Sequence, residues 1–450
     1  MQQCFILDLN RCTGCHACVI ACKNENELPA DANWRQVIQF NQQRIPHLPV
    51  ISYSIACNHC IDAPCKANCP ALAIQKDEDS GAVTIDPQKC MGCNYCQWVC
   101  PYDATVYNKS KGIMEKCTFC SHREDDQPAC VSACPTGALS SGDYQQEKTG
   151  LNGNTPDIWR TNIEPAIILK PLREGARIPK ADDFTNKHRL HNIIGKIKRK
   201  KESSVSLKTE WPLLLFTMTA PLMVASFVAF NFNFLKIPPM IYALLGLAAM
   251  ALSTIHLGKK FRFSRAILNW KKSWLSREII FFSAFFISSA FYLLLDIQLS
   301  LISYVIIALG AVALFSFDKV YLIDSIPNPE VHSASSTLTG LYLTGVFMYN
   351  LPLWVILGLL KFFLYFRRKF KKTATANGHP IVTACRLLFG LVVPGFLLIL
   401  SPEKYKAIII ASILLSEFLD RMEFYLDLEF MRPQTKAHLD LEHMLSKQPE

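Results

Sequence analysis

Residues 89–104 read KCMGCNYCQWVCPYDA, with cysteines at 90, 93, 96 and 100. Three thiolates at i, i+3 and i+6 in a tight loop converge on three iron corners of one [4Fe–4S] cubane. A fourth leaves on the short helix that follows and points elsewhere. The pattern recurs at Cys12, Cys15, Cys18 and Cys22, at Cys57, Cys60, Cys65 and Cys69, and at Cys117, Cys120, Cys130 and Cys134. Groups one and three share the C-x2-C-x2-C-x3-C spacing. Groups two and four keep the opening C-x2-C and the closing C-x3-C, and a loop absorbs their longer middle gap. A proline follows the last cysteine in groups two, three and four, at Pro70, Pro101 and Pro135. A lone pair of C-x2-C motifs would suggest zinc. Sixteen cysteines in four such groups point to iron–sulfur chemistry instead.

Seventeen of the 18 cysteines lie before residue 135, and only Cys385 lies beyond. Disulfide frameworks of that density belong to short secreted domains. Here the first ten residues read as a strand running straight into the first motif, with no basic-then-apolar leader and no twin arginine. Cys4 and Cys385 belong to no group and read as small buried hydrophobes. His16, His59 and His122 lie in or beside the motifs. Since sixteen cysteines fill four sites, supporting or surface positions are expected for them.

The composition changes near residue 205, from polar and cysteine-rich to a succession of long apolar runs. That shift marks a domain boundary between two solvents. The formal net charge is +10. Its excess sits in 170–208 and in loops between apolar runs, which fits membrane topology better than a nucleic-acid face. Helices are expected near 211–231, 237–257, 279–296, 299–317, 333–349, 352–367, 381–401 and 405–421. About 20 apolar residues cross the hydrocarbon core. The stretch 333–366 reads as two helices broken at Asn350-Leu351-Pro352. With eight helices the basic loops 258–278 and 367–380 fall on one side, and with seven they do not. The same rule puts both termini, and so the cysteine-rich domain, on the cytoplasmic face of an inner membrane. The basic run 195–201 reads as a juxtamembrane stretch facing anionic headgroups, or equally as a solvated linker.

Four stretches carry a resemblance. They are residues 11–22, RCTGCHACVIAC; 57–70, CNHCIDAPCKANCP; 89–104, quoted above; and 116–139, KCTFCSHREDDQPACVSACPTGAL. Over roughly residues 3–180 the sequence resembles the iron–sulfur subunit of the dimethyl sulfoxide reductase family. The resemblance implies an α+β ferredoxin-like double-dicluster domain with four [4Fe–4S] clusters. It implies that group one exchanges its last cysteine with group four, and group two with group three. The ligand sets it implies are Cys12/Cys15/Cys18/Cys134, Cys57/Cys60/Cys65/Cys100, Cys90/Cys93/Cys96/Cys69 and Cys117/Cys120/Cys130/Cys22. Some relatives carry tryptophan in the third group; this chain keeps Cys96, so all four sites are complete. In the family the cluster of group four lies nearest the membrane and that of group one nearest the catalytic subunit.

The apolar half is similar to the membrane anchor subunit of the same family, so two subunits that are often separate share one chain. In that anchor a histidine in an HLG string, an arginine six residues on, and a glutamate opening the next helix belong to the menaquinol site. His256, Arg262 and Glu278 match them. The plainer alternative is that His256 and Glu278 only cap helices at the interface. Other ionisable residues, among them Glu417, Asp420 and Arg421, read as interfacial.

The expected organisation is a four-cluster domain at 1–180, a basic linker at 181–208, an all-α polytopic membrane domain at 209–425 and a tail at 426–450. The expected function is oxidation of menaquinol or ubiquinol in the bilayer and relay of electrons to a separate molybdopterin catalytic subunit. No domain of molybdopterin size is present, and no nucleic acid is expected. One alternative is the same relay reversed, reducing quinone. Another is a redox-driven ion pump, which needs buried mid-helix carboxylates or lysines, and few of these are apparent in the sequence.

Overall fold

The computed structural model describes residues 1–42, 44, 50–124, 127–148, 163–172, 207–297, 299–323, 332–372, 380–401, 403–428, 430 and 432–433. The basic run 195–201 and nearly all of the expected linker 181–208 lie outside the described residues. The chain forms two compact units, Met1–Glu202 with Phe430–Glu450, and Ser203–Glu429.

In the first unit each cysteine group builds one short helix. These are α1 (Ala17–Glu25), α2 (Pro64–Asn68), α3 (Tyr95–Val99) and α4 (Ala129–Ser132). Each carries the third cysteine of its group: Cys18, Cys65, Cys96 and Cys130. Helices α2, α3 and α4 end at or just before the fourth cysteine, because the proline after it has no N–H to continue the ladder. Group one has no such proline, and α1 runs on through Cys22.

Strand β1 (Gln3–Asp8) is the centre of a three-stranded sheet. It pairs antiparallel with β8 (Leu139–Asp143), Leu7 opposite Leu139, and parallel with β9 (Ile167–Lys170), Phe5 opposite Ile167. Three hairpins frame the loops: β2 (Gln36–Phe40) with β3 (Ile51–Ile55), β4 (Ile74–Lys76) with β5 (Val83–Ile85), and β6 (Thr105–Asn108) with β7 (Ile113–Lys116). Helix α5 (Tyr144–Lys148) follows β8. Cys4 is buried with Ile6, Tyr144, Ala166 and Ile168. Burial first, then nearby Glu147, pushes its thiol up to about 12, so it stays a neutral apolar filler. Phe430 returns to this unit, its ring 5.6 Å from that of Trp98, and Arg432 pairs with Asp103 at 3.1 Å.

The second unit is helical at all eight expected places. Its helices are α6 (Leu207–Asn231), α7 (Pro239–Ile255), α8 (Trp274–Leu294), α9 (Ser300–Val320), α10 (Ser336–Phe347), α11 (Leu351–Lys372), α12 (Pro380–Leu387), α13 (Val393–Leu400) and α14 (Lys406–Asp427). Helices α12 and α13 form one run through a π-turn at Leu388–Val392, beside Pro394, which cannot donate to the ladder. Among the described residues four segments are long and apolar enough to cross a membrane: Glu210–Asn231, Trp274–Leu294, Ser300–Val320 and Pro380–Leu400. Helix α7 makes a fifth only if taken with the 3-10 turn Lys260–Ile267, at a bend of 102°. Helix α10 has 12 residues, about 18 Å of rise against about 30 Å of hydrocarbon. Helices α11 and α14 are long enough at 22 residues each but carry several charges.

Three consecutive pairs run antiparallel: α7 with α8, α9 with α10, and the α12–α13 run with α14. Tyr242 at the start of α7 donates to Ser289 late in α8 at 3.0 Å. Asp318 near the end of α9 accepts from the Ser336 N–H, which opens α10, at 2.6 Å. Asp420 late in α14 meets Arg368 late in α11 and Arg386 early in α12. Two apolar cores hold the bundle, one around Phe227, Phe282, Phe285 and Phe317, the other around Leu343, Val346, Trp354 and Ile413.

Candidate functional site

One backbone device repeats in all four cysteine groups. The residue before the second cysteine is left-handed: Gly14 at φ 71°, His59 at 43°, Gly92 at 69° and Phe119 at 61°. That turn folds the loop back so that the first two thiols face the same space. Glycine is the residue that adopts it without strain, and groups one and three use glycine. Groups two and four hold a bulky residue there by packing: His59 and Phe119 meet edge to face at 5.3 Å, and Phe119 stacks on Phe5 at 4.5 Å.

Backbone N–H groups point at the sulfurs. His59 N–H donates to Cys57 Sγ and Phe119 N–H to Cys117 Sγ, each at 3.4 Å. Met114 donates to Cys90 at 3.4 Å, Ala73 to Cys69 at 3.3 Å, and Leu139 to Cys134 at 3.4 Å. Such donors stabilise thiolate charge.

The fold brings cysteines from different groups together. Cys57, Cys60, Cys65 and Cys100 line one cavity with Lys116. Cys12 feels Cys18, Cys134 and Cys15 electrostatically. Cys93 feels Cys69 and Cys90, and Cys22 feels Cys130 and Cys120. Each fourth cysteine thus neighbours a group other than its own. Burial, then the neighbouring sulfurs, pushes Cys22 up to about 12. Burial likewise raises Cys65 and Cys93 to about 12. Thiols so placed become thiolates only beside compensating cations, which iron supplies, so the donor set fits a cluster. Among the described residues no three His, Cys, Asp or Glu side chains converge as ligands of one bare ion.

Two buried cations, which the motif reading missed, stand among the sulfurs. Lys116 Nζ donates to Cys57 Sγ at 3.0 Å and to Cys117 O at 3.3 Å, and is 2% exposed. Arg35, 1% exposed, faces Cys130, Cys117, Cys18 and Cys22. A sequence signal existed for the first: Arg11, Lys89 and Lys116 each precede the opening cysteine of a group. Of the three histidines, His16 and His122 are exposed, and His122 pairs with Glu25 at 3.0 Å. His59 is buried and its Nδ1 accepts from Val83 N–H at 2.8 Å.

In the membrane unit His256 caps the C-terminus of α7, and its Nδ1 is buried with no hydrogen-bond partner among the described residues. Arg262 lies on the 3-10 turn after it. Glu278, 3% exposed, sits in the second turn of α8. Among the described residues His256 and Glu278 share no hydrogen bond or ion pair. The charged groups acting on Glu278 are Arg421 of α14 and Asp318 of α9. Glu417, Asp420 and Arg421, whose places in the sequence read as interfacial, are buried inside the helical unit. Lys361 and Glu417 are in mid-helix, nearly wholly buried, and paired at 2.8 Å. Asp420 is fully buried against Arg386 at 2.9 Å and Arg368 at 3.1 Å. The expectation of few buried mid-helix charges is therefore corrected. The signal was present as carboxylates at 417, 420, 423 and 427, which fall on one helical face.

Comparison with known proteins follows the same division. Residues 50–144 match the family described as 4Fe-4S dicluster domain, and residues 206–363 match the DMSO reductase anchor subunit (DmsC). The probable anaerobic dimethyl sulfoxide reductase chain YnfG of Escherichia coli K12 is 38% identical over 183 residues, which cover 38% of this chain and 89% of that one. A second anaerobic dimethyl sulfoxide reductase component of the same organism matches to the same extent. A tetrathionate reductase component of Salmonella typhimurium is 34% identical over 187 residues, 41% of this chain and 69% of the relative.

Proposed function

The chain belongs to the family of dimethyl sulfoxide reductase iron–sulfur subunits, with the anchor of that family on the same polypeptide, and on that premise we propose that it oxidises quinol and relays the electrons to a separate molybdopterin subunit. The observation that carries the reading is the set of four turns that present cysteines from paired groups to shared spaces, fused to apolar helices. The four ligand sets are Cys12/Cys15/Cys18/Cys134, Cys57/Cys60/Cys65/Cys100, Cys90/Cys93/Cys96/Cys69 and Cys117/Cys120/Cys130/Cys22. Bound [4Fe–4S] clusters would supply one-electron chemistry there. The protein's part is to hold the thiolates, keep water out and set their electrostatics through N–H groups, Lys116 and Arg35.

Menaquinol or ubiquinol docks beside the loop 258–278, where His256 and Glu278 flank one boundary and Arg262 lies between them. A histidine accepts a proton and a carboxylate passes it on. The organisation is a cluster domain at 1–180, a linker at 181–208, a membrane domain at 209–425 and a tail at 426–450. Eight crossings put both ends on the cytoplasmic face of an inner membrane. Hydropathy undercounts α11 and α14 because their charges are paired with one another inside the bundle.

Anaerobically purified protein is expected to hold about sixteen irons per chain, four per cysteine set. Quinol should bleach the clusters, and His256→Ala and Glu278→Gln should slow that step while dithionite reduction and iron content stay intact. Iron near four or eight, or stoichiometric zinc, rejects the four-cluster reading. Unchanged quinol kinetics in both variants moves the quinol site elsewhere.

A further inference from the structure

A proton taken up by Glu278 has no direct way to water, because the side chain is buried. The polar groups beside it lead into α14. Arg421 acts on Glu278 and lies next to Asp420. Its Nε donates to Thr217 at 3.2 Å and its Nη1 to the Ala334 carbonyl at 2.5 Å. His332, just before α10, stacks on Phe424 with centroids 4.0 Å apart. The charged groups facing His332 are Arg421 and Asp420 of α14 and Arg368 and Lys361 of α11.

From there carboxylates descend one face of α14 to its end. Asp420 accepts from Ser333 at 2.9 Å, from Arg386 at 2.9 Å and from Arg368 at 3.1 Å. Glu423 accepts from Tyr365 at 2.8 Å, from Thr383 at 2.9 Å and from Lys369. Asp427 is 3.7 Å from Arg368 and 3.8 Å from Lys369. Seven residues of rise, about 10 Å, separate the first carboxylate from the last.

A static brace of ion pairs would close on itself, and this one does not. His332 Nδ1, Arg421 Nη2, and Arg386 Nε and Nη1 are buried without a hydrogen-bond partner among the described residues. Buried polar atoms in native proteins are satisfied by protein or by ordered water. Four such nitrogens along one polar seam mark places for water. Alternating water, imidazole and carboxylate is the composition of a proton path through a membrane protein.

We propose that this seam is the proton outlet of the quinol site, with His332 and Glu423 carrying protons from Glu278 to the end of α14 and Asp420, held between Arg386 and Arg368, fixing the cations that line it. The inference rests on the reading of this chain as a quinol oxidase. Each quinol loses two electrons and two protons on becoming quinone; the electrons pass to the cysteine-bound clusters and the protons to this path.

The test uses the full chain, purified anaerobically with its iron in detergent and mixed with a short-chain menaquinol in a stopped-flow instrument. His332→Gln and Glu423→Gln are expected to keep iron content and dithionite-reducible absorbance. Both should slow quinol-driven bleaching at least about tenfold, the low end of what a lost proton-transfer group costs. Both should raise the solvent deuterium isotope effect. If His332→Gln loses its iron, Glu423→Gln decides by rate and isotope effect. Wild-type rates and isotope effects in the iron-replete variants overturn the outlet and leave quinol oxidation standing. A wild-type protein that quinol does not reduce overturns the reading beneath it.

Discussion

Lys116 is the side chain that says most about how the cluster unit is tuned. It is buried among sulfurs, with Nζ 3.0 Å from Cys57 Sγ, and its backbone leads directly to Cys117, in another cysteine group. A buried ammonium is tolerated only where negative charge surrounds it. A charge-assisted hydrogen bond to a thiolate is worth about 1.5–3 kcal/mol. Lost from the more negative, reduced state, that is roughly 65–130 mV for one electron. Lys116→Met should therefore make the cluster held by Cys57 harder to reduce by about that amount, with iron content unchanged. Redox titration followed by electron paramagnetic resonance reads the shift, and an unmoved potential refutes the role. At this scale the cysteines were legible in the sequence because ligand spacing is local. Lys116 and Arg35 were not singled out, because what makes them matter is the company the fold brings: Cys57 lies 59 positions from Lys116.

At the scale of elements, two contacts decide how the membrane helices pack. Gly246 of α7 lies so close to α8 that a Cβ would stand 2.0 Å from the Phe286 ring. Gly246→Val should cost about 1–3 kcal/mol through overpacking, seen as a lower midpoint of thermal unfolding in detergent; an unchanged midpoint would mean that the helices are not in contact there. The second contact is the Lys361–Glu417 pair between α11 and α14. Removing one partner leaves a buried, uncompensated charge, at a cost of about 3–5 kcal/mol. Lys361→Met and Glu417→Leu should each destabilise the protein by that order, and the double variant should recover most of the loss. Additive losses would dismiss the pairing. Helix positions were readable from apolar runs, since eight runs gave eight helical segments. Their polar partners were not, because a carboxylate near a helix end looks interfacial until the facing helix is known to bring a cation to it.

For the whole molecule the open quantity is the number of crossings. The chain leaves the cysteine-rich unit before residue 203 and rejoins it at Phe430, which packs on Trp98, and Arg432, which pairs with Asp103. A chain that leaves one compact unit and returns to it crosses the membrane an even number of times. Of the even counts, eight is the one we propose. The basic loops on alternate turns favour eight. On that count the loop at Asn350, between α10 and α11, lies opposite both termini. Reporter fusions at Asn350 and after Glu450 measure this directly. The expected result is a periplasmic signal at Asn350 and a cytoplasmic one at the C-terminus. Signals of the same side at both positions would reject eight crossings. A periplasmic C-terminus with a cytoplasmic Asn350 would keep the count and reverse the face on which the clusters work.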